Sequence, residues 1–591
     1  MAYDLLITNG RVVDGSGGPS FHADVAVHQG KIVGVGKFSE AATRTINADG
    51  RVVAPGFIDH HTHFDSQCMW DPIVTSTSLN GNTSIIVGQC GAVLAPTRPG
   101  DGNWYLQMFH YMEGVPLHVQ QAGVDFAWES IPEYLDAIGR RRGINVGALI
   151  GHSGVRRYVM GEAAQEREAT PEEITVMKRV IREGMMAGAL GFSVGNFVDQ
   201  GEGIFGVKVP SSVATDAERF ALASVLGELG TGVFQVSGGA PGGFRGPARM
   251  AQELSRQTGR PAMYNLLAQE LSKPDEWQEH LHVLAEAFQA GLRAYGSCLS
   301  ATAGPIFDLR QGLDGLEDED MVSPTTVFQG MPTWDAVMAQ PVQERMRSFR
   351  DPAIRKALSV EAVETEGAHA YRMGRAQRQM SFNRRWDLVE VYMTHRERNR
   401  PFSGKSIEQI AREQGKGIMD AFLDLVLDDD LRTSFQVIDR NNDVEAQRQI
   451  LGSPYSVIGT TDGGARPDKG DRTDYSTRLL SYWVREKQIM SLEEAVYRMT
   501  GKTALMHDLH DRGFLAPAKA ADIVIFDPDT IASKPREPVY DFPGGEMHVK
   551  QGAIGIDYVF VNGEVLLESG EHTGALPGQV LRGPLYQATR A

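Results

Sequence analysis

The sequence predicts an α/β protein: a (β/α)₈ TIM-like barrel with a small β-sandwich domain built from both termini and an insertion at the barrel mouth. Three observations carry this expectation. Both ends of the chain are rich in short alternating segments broken by glycine turns. The middle alternates short apolar runs with helical patterns about eight times, which implies a parallel sheet and favours a closed one. That rhythm lapses once, from about residue 300 to 430.

Segments 4–13 and 24–36 alternate apolar and polar residues around glycines, as hairpin strands do. Ala521–Phe526 and Tyr558–Leu566 repeat the style, broken at Asp527-Pro528 and Asn562-Gly563. Residues 1–56 and 512–591 are therefore expected to form one composite sandwich, leaving 57–511 as the barrel. The expected barrel strands are Phe57–Asp59, Ser84–Gly88, Asn145–Gly151, Leu190–Ser193, Val233–Val236, Ala262–Leu266, Leu292–Gly296 and Tyr455–Gly459. Helical patterns between them carry start signals. Thr170 is an N-cap, Pro171 fits the first helical position and Glu173 closes a capping box, with Ile174, Met177, Ile181 and Met185 following at helical spacing. Ser491-Leu492-Glu493-Glu494 repeats the device. Periodicity alone also fits an open doubly wound sheet. The 300–430 segment reads as an insertion between late strands, with a hairpin candidate around Trp386–Met393 and Arg400-Pro401-Phe402. Such loops shape substrate pockets.

Composition narrows the function. A net charge of −17 argues against nucleic acid and against an anionic membrane surface, and leaves a small-molecule substrate as the expected partner. No apolar run approaches the roughly 18 residues of a membrane span. The N-terminal segment lacks a basic region and a cleavage site, so a cytoplasmic protein is expected. Three cysteines, Cys68, Cys90 and Cys298, make no disulfide framework and fit a reducing compartment. A homo-oligomer is expected.

Three clusters carry chemistry. In Pro55-Gly-Phe-Ile-Asp-His-His-Thr-His-Phe-Asp65, His61 and His63 stand two apart on a strand, so their imidazoles share a side, while His60 faces the other way. Two imidazoles at the C-terminal end of a barrel strand suit zinc. In Ile85-Ile-Val-Gly-Gln-Cys-Gly91, Cys90 sits in a glycine-flanked turn where a thiolate could ligate metal. Asp462 ends the last expected strand, where a carboxylate can meet both a metal and a proton. Each residue has a plainer reading: Cys90 as a small buried hydrophobe, Asp462 as a turn former before Gly463-Gly464.

Taken together, these stretches resemble the amidohydrolase superfamily, and within it the N-acyl-D-amino-acid deacylase (D-aminoacylase) branch. The Gly56-Phe-Ile-Asp-His-His-Thr-His63 stretch is similar to the superfamily's first-strand signature, and Gly88-Gln-Cys-Gly91 to the branch's cysteine turn. Gly151-His-Ser-Gly-Val-Arg156, Ala187-Gly-Ala-Leu-Gly-Phe-Ser193, Thr461-Asp-Gly-Gly464 and Thr573-Gly-Ala-Leu-Pro-Gly578 also match, and the similarity spans nearly the whole chain. It implies hydrolysis of an amide C–N bond, of an N-acyl and possibly D-configured amino acid, by metal-activated water. Cyclic amides, carbamates and lactones are alternative substrates, and a non-catalytic binding protein is a further one.

The pattern departs from the branch at strands five and six, where classical members carry histidines and this chain has Ser237 and Asn265. Neither is a good zinc ligand. One tightly bound zinc-like ion is therefore expected on His61, His63, Cys90 and Asp462. Asp462 is expected to act as general base and acid, with His152 facing the mouth as a transition-state hydrogen-bond donor or, more plainly, as a cap. Arg156 and Arg157 are the expected grips for a substrate carboxylate. Their plainer reading is solvated loop charge. His280 and His282 read as helix-surface residues, and Lys208 as a loop residue.

Overall fold

Eight parallel segments pair in chain order and return on themselves in the computed structural model, which describes residues 3–195, 208–238, 246–310, 327–373, 378–468, 470 and 472–587. Strand one is Phe57–Asp59, resumed at His61–Thr62, and strand two is Asn82–Val87. Strand three is Asn145–Ala148, resumed at Ile150–Gly151; strands four to six are Gly191–Gly195, Val233–Ser237 and Ala262–Asn265. Strand seven is Ala294–Cys298, and strand eight is Ser456–Ile458, resumed at Thr460–Gly463. Neighbours pair one with two, two with three, and so on to seven with eight. The last strand then pairs in parallel with the first, Thr460 opposite His61 and Gly463 opposite Thr62.

One apolar layer reports the same closure. Ile58, Ile86, Leu149, Leu190, Val233, Met263, Tyr295 and Val457 pack together, one from each strand or the residue beside it. Burying such side chains stabilises by about 1.5–3 kcal/mol each, so the layer rewards the closed arrangement. Met506, Leu509 and Leu581 join it from the C-terminal region. The tail holds its place by backbone pairing, with Leu581 N–H donating to the Val146 carbonyl.

Helices separate most strands as the periodicity predicts, among them Ile131–Ile138, Pro171–Met186, Asp216–Leu229, Pro247–Thr258, Glu276–Gln289 and Val444–Gly452. The first connection differs. Between strands one and two the chain makes only the 3₁₀ turns Gln67–Met69 and Thr77–Asn80. That short segment is held by Asp71, which accepts from the Ile73 and Thr75 backbone.

The termini meet in one nine-stranded sheet. Its join is Val52–Pro55 paired antiparallel with Ile523–Phe526. The 300–430 region has an apolar cluster of its own, in which Phe328 stacks on Trp334 at 4.0 Å and Trp386 meets Phe422 at 5.2 Å. Its hairpin is not the expected one. His369–Met373 pairs with Arg378–Phe382, while Val389–Met393 pairs antiparallel with the distant Ser434–Val437. Pro401 lies inside a 3₁₀ segment, Glu397–Phe402, and has no amide proton to give a ladder. No helix among the described residues is long and apolar enough to cross a membrane.

The helix Pro171–Met186 shows the local rules at work. The Thr170 side chain accepts from Glu173 N–H, Glu173 returns the bond to the Thr170 backbone, and Met177, Ile181 and Met185 are buried beneath. Loss of one N-cap typically costs about 1 kcal/mol. Thr170→Ala should lower the urea midpoint by an amount equivalent to about that value with activity unchanged. Equal midpoints would show that the cap contributes nothing here.

Candidate metal centre

Strand one breaks at His60, and the break lets His61 and His63 turn toward Cys90 from the end of strand two. Cys90 Sγ lies 3.5 Å from His61 Nε2 and 3.8 Å from His63 Nε2. All three are buried, and among the described residues they form the compact group of candidate metal ligands. Asp462 adds a carboxylate: its Oδ1 is 3.3 Å from His61 Nε2 and 3.8 Å from His63 Nε2. Ligand atoms about 2.0–2.3 Å from a tetrahedral zinc ion stand roughly 3.3–3.8 Å apart. The spacings fit one such ion. The Nδ1 atoms of both imidazoles are buried without a hydrogen-bond partner, so the two Nε2 atoms are the ones turned to the other candidate ligands.

Two backbone positions make this convergence possible. Cys90 and Asp462 both adopt left-handed φ values, 56° and 53°, which non-glycine residues rarely take. The cysteine turn is held in that shape from strands four and five. Gln235 Oε1 accepts from Cys90 N–H at 2.8 Å, and Ser193 Oγ accepts from Gly91 N–H while donating to the Gly88 carbonyl. A Cβ on Gly91 would lie 2.7 Å from Gly195 N, so only glycine fits there.

Electrostatics separate the acids. Burial works against ionisation of Asp462, but its hydrogen bond to His61 and the charges of His61, His63 and Arg466 hold it well below the usual carboxylate range. Burial pushes Glu113 up to about 8, and its carboxylate lies 3.4 Å from His63 Nε2. Burial likewise raises Asp65 to about 7 and lifts the Cys90 thiol well above its ordinary value. Burial, then the neighbouring His61, lowers His63 to about 3. A buried thiol and carboxyl beside two imidazoles are a set that a cation would ionise.

A family model described as "Amidohydrolase family" matches residues 44–567. The chain belongs to the amidohydrolase family. This amidohydrolase is 26% identical to a D-aminoacylase of Alcaligenes xylosoxydans xylosoxydans over 98% of its own length and 97% of the relative's. It is 28% identical to an N-acyl-D-glutamate deacylase of the same organism, over 98% and 96% respectively. Its fold matches the crystal structure of N-acyl-D-glutamate deacylase from Bordetella bronchiseptica, complexed with zinc and a phosphonate inhibitor, with a TM-score of 0.63 at 24% identity. That match covers 99% of this chain and 100% of the other. The overall architecture is accordingly a TIM-barrel with an additional domain.

Ser237 and Asn265 lie beside the ligand group, as the strand alignment implies. Ser237 Oγ is 3.0 Å from Cys90 Sγ, and Asn265 Nδ2 is 3.3 Å from His61 Nε2. His60 packs in the lumen against His507 and Ser297. Lys208 and His282 are exposed, while His280 packs edge-on against Tyr264.

Three expected substrate contacts fall elsewhere. His152 does not turn toward an open mouth: it is fully buried, its Nε2 meets Glu218 at 2.9 Å, and its ring packs on Phe192. Glu218 also pairs with Arg156 Nη1, and Arg156 Nη2 donates to the Ala164 and Arg167 carbonyls. Arg157 binds Asp101 through two bonds of 3.0 Å and lies over Trp104. The reason lies in which acids the fold brings to one helix. His152 begins the helix His152–Met160, and the register of that helix carries Arg156 and Arg157 onto its acid partners. A guanidinium so paired has no fork left for a substrate carboxylate.

The residues that sequence reading missed are Glu113, Gln235, Arg466 and Arg472. The arginines follow Asp462 in Gly463–Arg472, and a cationic loop just past the last strand was the available signal. Arg466 acts electrostatically on His63, Cys90, Glu113 and Asp462, and Arg472 interacts electrostatically with Tyr392, Asp462, Arg466 and Arg440. Among the described residues neither guanidinium has a salt-bridge partner, unlike Arg156 and Arg157.

The buried Glu218 makes a stability prediction. Burial alone would raise its carboxyl, but His152 and Arg156 lower it to about 2, below the ordinary 4.5. A folded-state value below the unfolded one gives stability that is complete above about pH 4.5 and disappears as pH falls toward 2. Glu218→Gln strands the buried Arg156 charge and should cost about 3–5 kcal/mol near neutrality. Its stability–pH curve should also be flatter than wild type between pH 5 and 2. Parallel curves with equal midpoints would refute this account.

Proposed function

We propose that this amidohydrolase hydrolyses the amide bond of an N-acyl amino acid, with a D-amino acid as the favoured configuration, at a single metal held by His61, His63, Cys90 and Asp462. The observation that carries the reading is that His61 and His63 Nε2 both approach Cys90 Sγ, at 3.5 and 3.8 Å, and Asp462 Oδ1, at 3.3 and 3.8 Å. The relatives named D-aminoacylase and N-acyl-D-glutamate deacylase, which span nearly its whole length, support the substrate class. A divalent ion bound there would supply Lewis acidity toward the scissile carbonyl and neutralise charge that develops on its oxygen.

The chain's own groups do the rest. Asp462 is the more accessible acid of the site, its side chain 30% exposed against 7% for Glu113. Held ionised, it can take a proton from the attacking water and return it to the leaving nitrogen, which departs as a free amine. Arg466 and Arg472 replace Arg156 and Arg157 as the proposed anchors of the substrate carboxylate, because each interacts electrostatically with Asp462 and neither has a salt-bridge partner among the described residues. Tyr392, from the 300–430 region, abuts the same loop, since a Cβ on Gly470 would lie 2.4 Å from its ring. We therefore read that region as the insertion that shapes the entrance to a (β/α)₈ barrel spanning 57–511. Residues 1–56 and 512–591 are read as the accessory β-domain. With Cys68, Cys90 and Cys298 all free, the protein suits a reducing compartment.

Release of free amine from a panel of N-acyl-D-amino acids, N-acyl-L-amino acids and cyclic amides tests the substrate class. Turnover confined to cyclic amides would overturn it. Dialysed protein should keep about one metal equivalent, and His61→Ala should lose both metal and nearly all turnover while remaining folded by circular dichroism. Asp462→Asn keeps a ligating oxygen but cannot accept a proton near neutrality. It should retain much of its metal and lose at least about a hundredfold in kcat, within the usual range for acid–base assistance. A near-wild-type rate would reduce Asp462 to a turn former.

A further inference from the structure

Glu113 has no place in the ligand set just described. It ends the helix Gly102–Glu113, outside the eight strands, and the chain leaves it through Gly114 at φ 66°. The side chain is 7% exposed, and its Oε2 lies 3.4 Å from His63 Nε2. That separation is as short as the one that brings Asp462 to His61, 3.3 Å. The Glu113 backbone is fixed to the same loop as Asp462, because its carbonyl accepts from Arg466 N–H at 2.7 Å. Among the described residues, no backbone or side-chain donor other than the His63 ring reaches its carboxylate. A buried carboxylate without donors is costly unless a cation answers it.

The imidazole it meets is already committed. His63 Nε2 faces Cys90 Sγ and Asp462 Oδ1, so Glu113 Oε2 joins the atoms gathered around one nitrogen. Strands five and six offer only Ser237 and Asn265 at this place, neither of them anionic. We propose that Glu113 is a further ligand of the metal, an oxygen donor supplied by a helix outside the barrel strands where strands five and six supply no imidazole. The inference rests on the metal reading above. A second carboxylate would offset charge at the divalent ion and favour five-coordination over four.

The test uses the full chain loaded with Co²⁺, whose visible absorption reports coordination number, together with chelator competition for metal affinity. Glu113→Gln should weaken metal binding by at least about tenfold and intensify the Co²⁺ bands as the site moves toward four-coordination. Glu113→Asp, which keeps the charge but draws it back, should show the same spectral change in smaller degree; it carries the test if the Gln variant does not fold. Wild-type affinity with an unchanged spectrum in the folded variant overturns the proposal. So does an unchanged spectrum with reduced turnover, which would make Glu113 a hydrogen-bonding neighbour instead. His61→Ala runs alongside. If it too leaves binding unchanged, the metal reading itself fails; if it alone abolishes binding, only the role of Glu113 falls.

Discussion

The pairing of the last barrel strand with the first is the constraint on which the site depends. Thr460 opposite His61 and Gly463 opposite Thr62 join segments about 400 residues apart. Without that register Asp462 does not reach the imidazoles, and the ligand atoms have no common centre. The register is specified mainly by packing, through an apolar layer with one contribution from every strand. Thr461 Oγ1 adds a hydrogen bond to Asp59 across the seam, and His63 N–H donates to the Gly463 carbonyl. A slip by one residue would turn the whole inward set outward.

Gathering acids, a thiol and imidazoles in a buried space is unfavourable unless something offsets their charge. The protein meets this in two different ways a short distance apart. At Glu218 it uses its own groups, with His152 and the Arg156 guanidinium both meeting the carboxylate. Around His63 it does not: Glu113 and Asp462 face the ring, Cys90 lies beside it, and among the described residues Arg466 and Arg472 have no salt-bridge partner. The second gathers the candidate metal ligands. Buried titratable groups perturbed in this way mark a candidate functional site.

The supporting contacts come from elements that carry no ligand. Gln235 and Ser193, on strands five and four, hold the cysteine turn in its left-handed form, and Arg466 ties the loop after strand eight to the end of the Gly102–Glu113 helix. The 300–430 region has its own aromatic cluster, and Tyr392 from it abuts Gly470 in the loop after strand eight.

The sequence by itself determined the alternation of strands and helices, the sharing of one sheet by both termini, the capped helix after Thr170 and the four residues of the proposed metal set. All of these follow from local signals: periodicity, caps, and imidazoles two apart on a strand. It also located Ser237 and Asn265, since strand ends can be counted. Tertiary structure decided the rest. Whether His152 faced the mouth or the helix layer depended on Glu218, 66 residues away, and nothing near His152 records that partner. Arg156 and Arg157 carried the right chemistry for a carboxylate, but charge is a property of the residue, whereas availability depends on which acids the fold brings alongside. Glu113 shows the converse. Nothing in the sequence around it singles it out, and only the contact of Phe109 with the His63 ring and the Arg466 backbone bond place it on His63. Long-range partners are chosen by packing of whole elements, which no short stretch of sequence encodes.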